Sequence, residues 1–112
     1  MLDPVSGNIE KYMDLLAARQ RLVASNIANA DTPGFKTRDI DFSGEFRSLI
    51  EGGGPRVEEV EGLQVRNDGN NVNLDREARL LAENAIRFNV ASNLLRVQIR
   101  TIRSAIQEGR SS

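Results

Sequence analysis

The side chains suited to work on a substrate are few, and they are acidic. Asp39 with Asp41, and Glu58 with Glu59, are closely spaced carboxylate pairs, the residue type that acid-base catalysis or a hard cation requires. Neither pair has further ligands clustered near it, so solvated loop charges are the plainer reading. The chain has no His and no Cys. The commonest general base, the commonest metal ligand and the best nucleophile are thus all missing, and thiolate metal sites and disulfides are excluded. The GGGP run at 52–55 is followed by neither Lys-Ser/Thr nor a helix pattern, which removes a phosphate-binding loop. No catalytic, cofactor-binding or metal-binding residue is expected, and the chain reads as a non-enzyme.

Charge gives little reason to expect nucleic acid. Lys plus Arg is 15 and Asp plus Glu is 16 over 112 residues. The balance is uneven, with residues 1–73 acidic and residues 74–112 mildly basic. Arg96, Arg100 and Arg103 recur at helical spacing, a pattern that suits a solvated or salt-bridging helix edge better than a reader of phosphates. If the two long helices pair antiparallel, Glu10 and Asp14 are expected beside those arginines. The start, MLDPVSGNIEKYM, lacks a basic segment followed by an apolar one, and no window approaches eighteen apolar residues. Neither a cleaved secretory signal nor insertion into a membrane is expected.

The elements that would position any function form three parts: 1–30, 31–73 and 74–112. In the first, Ile9, Met13, Leu16, Gln20, Val23, Ile27 and Ala30 alternate in steps of four and three, the repeat of a coiled-coil seam with one polar interruption. Asp3 with Pro4 suits an N-cap and first helical position, and a later start at Ser6 or Asn8 suits equally. In the third part the same alternation runs through Leu74, Ala78, Leu81, Ala85 and Phe88, then Ser92, Leu95, Ile99, Ile102 and Ile106. Such a helix would be roughly 50 Å long. Asn73 is its natural N-cap, and Gly109 onward its fraying end. Beside this seam, Ile86, Val90, Leu94 and Val97 form a second apolar stripe.

The middle part is loop-rich. Thr32-Pro33-Gly34-Phe35 suits a type II turn, with Pro33 fixing φ and Gly34 supplying the positive φ. The pattern at 43–50 suits a short helix capped by Ser43 and burying Phe46, Leu49 and Ile50, and that at 57–66 suits one or two short strands around Gly62. The triple glycine at 52–54 is a break, and NDGNN at 67–71 is turn-forming again.

The fold expected is therefore mainly α: an antiparallel, coiled-coil-like hairpin of two long helices with a short loop-rich or β insert. With aromatics at only 4% of the chain, the core is modest, and a lone hairpin sits near the margin of stability once chain ordering is counted. The second stripe carries more apolar surface than one partner helix can cover. Neighbouring subunits are expected to cover it.

The segment VASNIANADTPGFKTRDIDF at 23–42 resembles the N-terminal signature of the flagellar basal-body rod and hook family: an Asn-rich helix end running into Thr-Pro-Gly and an aromatic. Together with NNVNLDREARLLAENAIRF at 70–88, it resembles the proximal rod members of that family most. The motif residues so marked are Asn26, Asn29, Asp31, Thr32, Pro33, Gly34 and Phe35. The resemblance implies a structural subunit that polymerises into a helical tube, transmits torque and surrounds an export channel. It also implies uncleaved passage through the flagellar type III export apparatus into the periplasmic basal body. Its partners would be copies of itself, other rod subunits, the membrane-ring adaptor and the export gate. A competing reading from another class is a soluble helical adaptor that holds a partner with its C-terminal helix.

Overall fold

The structure, a computed structural model, describes residues 3–52 and 55–111. Gly53, Gly54 and Ser112 therefore lie outside the described residues, as does the side chain of Leu49. Two long helices dominate: α1, Pro4–Ala28, and α3, Leu74–Ser111. Between them lie β1 (Arg38–Ile40), α2 (Phe42–Ile50) and β2 (Val57–Glu59).

Local chemistry sets the helix ends. Asp3 is the N-cap of α1, its Oδ1 accepting from the Ser6 N–H at 2.7 Å, and Pro4 takes the first helical position, where no N–H is needed. Asn29 closes the other end, its Nδ2 donating to the Ser25 carbonyl at 2.9 Å. Asn73 caps α3, with Oδ1 accepting from the Arg76 N–H at 3.0 Å, and Asp75 and Glu77 add negative charge to the first turn.

α1 and α3 pack antiparallel, and three polar rungs fix their register. Asn26 donates to Glu77 at 2.7 Å, Asn84 to Gln20 at 3.2 Å, and Gln98 to Asp3 at 3.1 Å. Leu15, Leu16 and Val23 of α1 are buried against this face, with Leu80 and Ala91 of α3. The molecule is elongated, 71 × 25 × 17 Å. Because Gln98 is level with the start of α1, α3 from Ile99 onward runs past it, about 20 Å at 1.5 Å per residue.

This register corrects one charge expectation. Arg100 and Arg103 lie beyond the start of α1, so they do not meet Glu10 and Asp14 of their own chain. All four are exposed, and among the described residues none of them enters an ion pair.

α2 lies against α1 through aromatic edges. The Tyr12 ring meets Phe42 and Phe46 edge-on, each with centroids 5.4 Å apart. β1 pairs antiparallel with β2, Asp39 opposite Glu58 and Ile40 opposite Val57. Among the described residues, 57–66 contributes only β2. Its partner comes from the segment before α2, where a three-residue strand leaves no alternation to read.

Candidate functional site

The Asn-rich helix end and the following turn are locked from outside. Thr32-Pro33-Gly34-Phe35 closes as a turn, the Phe35 N–H donating to the Thr32 carbonyl at 3.2 Å and Gly34 taking φ +76°. A second turn, at 66–70, clasps it. Gly34 N–H donates to the Asp68 carbonyl at 2.8 Å, and Asn70 Nδ2 donates to the carbonyls of Asn29 and Thr32 at 2.9 and 2.8 Å. Asn71 accepts from the Thr37 N–H at 2.6 Å, while Lys36 donates to the Gly69 carbonyl and Arg66 to that of Ala30. Backbone groups orphaned by the helix end thus find partners some forty residues along the chain.

Asn26 is the hinge of this arrangement and is 1% exposed. Its side chain reads the Arg38 backbone twice, Nδ2 donating to the carbonyl at 2.9 Å and Oδ1 accepting from the N–H at 3.1 Å. The same Nδ2 reaches Glu77, which is fully buried. The other Glu77 oxygen accepts from Arg76 at 2.7 Å; Arg76 also donates to Asp39 at 2.6 Å, and Arg19 grips both oxygens of Asp39 at 3.0 Å. The chain Arg19–Asp39–Arg76–Glu77–Asn26 therefore ties α1, β1 and α3 together.

Burial pushes the Asp39 carboxyl up, but the Arg19 guanidinium, the Ile40 N–H and Arg76 outweigh it and hold its pKa below the ordinary carboxylate value. Burial likewise works against the Arg76 charge and is overcome by Glu77 and Asp39, which raise its pKa. Asp39 is thus a structural ion rather than the solvated loop charge that its spacing with Asp41 suggests. Asp41 is exposed, and its carbonyl accepts from the Glu45 N–H at the start of α2.

Around this junction the remaining motif residues face outward. Asp31, Thr32, Pro33 and Gly34 are exposed, while Asn29 and Phe35 are half-buried. Of the heptad positions on α1, Leu16 and Val23 are buried, Ile9 and Met13 half-buried, and Ile27 exposed.

On α3 the face turned to α1 carries Glu77, Leu80, Asn84 and Ala91, one residue back from the apolar repeat. Leu81, Ala85, Phe88 and Ile106 are exposed, and Leu95, Ile99 and Ile102 half-buried. Ile86, Val90, Leu94 and Val97 are each more than half exposed. Two grooves of about 500 Å³ flank the helix pair. One gathers Ile86, Val90 and Leu94 with Val5, Ile9, Tyr12 and Phe46; the other gathers Ala85 and Phe88 with Leu16, Ala17 and Ala24. Among the described residues no helix is long and apolar enough to cross a membrane.

A family model described as "Flagella basal body rod protein" matches residues 13–36, the second half of α1 and the clasped turn. The flagellar basal body rod protein FlgB of Yersinia enterocolitica is 34% identical, with 97% of this chain and 100% of the relative covered. The chain belongs to the flagellar basal body rod protein family. The corresponding proteins of Yersinia ruckeri and Escherichia coli K12 are each 31% identical over 97% of the chain. These alignments span 137 positions against the 112 residues here, so the rod-family relatives carry residues this chain lacks. The matched segment of the rod family includes Asn26 and Gly34, and it is held in place by residues outside the match, Glu77 and the turn at 66–70.

Proposed function

We propose that the chain is a structural subunit of the flagellar basal body rod, polymerising with copies of itself and with other rod subunits into a helical tube. The observation that carries this reading is the α3 stripe Ile86, Val90, Leu94 and Val97, apolar at helical spacing and more than half exposed beside its own hairpin contact. A stripe of that length on a helix already paired once calls for a second helical neighbour. The names of the relatives support the choice of the rod as the assembly. In this reading Leu81, Ala85, Phe88 and the Ile99–Ile102–Ile106 ridge are assembly seams, and the turn motif is the joint that sets the insert at one height in every subunit.

The finer roles follow from the same reading. The tube transmits torque and encloses an export channel; its base meets the membrane-ring adaptor and the export gate; and the subunit reaches the periplasm uncleaved through the type III export apparatus, without catalysis of its own.

The test is incorporation. A tagged chain, expressed in a flagellated host lacking its own FlgB, should restore swimming and appear in purified basal bodies. Accumulation of soluble chain with none in the basal bodies would end the reading. Removal of residues 1–8 should block secretion, and normal secretion of that truncation would remove the export role from this end.

A further inference from the structure

The acidic residues of α1 and the basic residues of the α3 tail are both exposed, and their own chain keeps them apart. Glu10 and Asp14 lie on one face of α1, in line with Ala17, Arg21 and Ala24 at steps of four, three, four and three. Ala17, Arg21 and Ala24 line the groove whose other wall is Ala85 and Phe88, so the acidic pair stands at one end of a small-residue trough. Beyond the start of α1, α3 from Ile99 onward has no α1 beside it. It carries Arg100 and Arg103 in line with Arg96, and Arg103 flanks the ridge of Ile102 and Ile106 at a step of three from Ile106.

We propose that the α3 tail of one copy docks across α1 of a second copy, Arg100 and Arg103 pairing with Glu10 and Asp14 and the isoleucine ridge lying in the Ala17–Ala24–Phe88 trough. The inference rests on the rod-subunit reading and names the contact by which copies join. Charge complementarity selects the occupant. The tail is the basic end of an otherwise acidic chain, and an amphipathic helix in an apolar groove is a recurrent mode of recognition. The two patches are different surfaces, so the contact is heterologous: each copy keeps one free tail and one free trough, and association continues in an open helical row rather than closing as a two-fold dimer.

The experiment is charge exchange on the full chain. Arg100→Glu/Arg103→Glu and Glu10→Arg/Asp14→Arg should each lower self-association in sedimentation by on the order of tenfold or more, because like charges then face each other. Mixing the two variants should restore it, since every tail then meets a trough of opposite sign. The absence of native cysteine gives a second readout that does not depend on charge. Asp14→Cys and Arg103→Cys chains should form a disulfide-linked dimer when mixed and oxidised, and neither should do so alone.

Unchanged association of the charge-reversed variants, no rescue on mixing, or no mixed disulfide would overturn the contact. Charge-reversed chains entering basal bodies at wild-type levels would also overturn it while leaving the rod reading standing. Absence of the wild-type chain from basal bodies would instead remove the rod reading itself.

Discussion

Gly34 and Gly69 stand back to back: a Cβ on residue 69 would lie 3.3 Å from the Gly34 Cα, and both residues hold positive φ, +76° and +85°. Each belongs to one of the two interlocked turns, and only a side chain added at residue 69 would press on the other turn. Gly34→Ala meets open space and should cost only its backbone penalty, about 1 to 2 kcal/mol. Gly69→Ala adds a tight contact with the Gly34 backbone to the same penalty and should lower the thermal midpoint, followed by circular dichroism, further than Gly34→Ala does. Equal shifts would mean that the turns are not in contact.

Asp39 makes stability pH-dependent. Its folded pKa is depressed, so its contribution is fully present above the unfolded value of about 3.9 and is lost as pH falls through the folded value. Urea midpoints measured from pH 6 downward should fall most steeply below about pH 4. Asp39→Asn should flatten that acid limb and cost about 3 kcal/mol at neutral pH, since it strands Arg19 and Arg76 against one another.

Asn26 is tested by its isostere. Asn26→Asp keeps the shape but places a carboxylate against Glu77 and the Arg38 carbonyl, where the amide now donates to both. Asn26→Ala leaves those acceptors unpaired and should cost roughly 2 to 3 kcal/mol. The Asp variant should be the less stable of the two at pH 7 and should recover ground on acidification, as one of the facing carboxyls protonates. A pH-independent difference would refute this account.

The exposed stripe separates folding from assembly. Leu94→Asp falls at a position more than half exposed and should leave the hairpin's helicity intact while abolishing entry into basal bodies. Leu80→Asp buries a charge in the α1–α3 contact and should lose the fold itself. Wild-type incorporation of the Leu94 variant would show that the stripe serves no neighbour.

Much of this architecture was legible in the sequence wherever the information is local. The four-three repeats announce both long helices, Asp3-Pro4 and Asn73 fall where the caps lie, and Thr32-Pro33-Gly34 writes out its own turn. What was not legible is carried between distant segments. Asn26 and Glu77 are 51 positions apart, and a glutamate on a helix reads as solvent-facing until its partner is known. Asp39 looked solvated for the same reason, its two arginines coming from α1 and α3. The apolar repeat of α3 also misdirects, because the α1-facing line one residue back is partly polar: Glu77 and Asn84 serve there as rungs, leaving the greasier Leu81, Ala85 and Phe88 outside.

The rung between Asn26 and Glu77 also sets an order of events for any chain delivered amino end first. The opening helix would emerge with its Asn26 amide met first by Arg38 alone, and its signature bend would keep unanswered backbone sites until the turn at 66–70 had followed. A half-delivered polypeptide lacks every partner that α3 supplies. Only the arrival of the seventy-seventh residue closes the clasp.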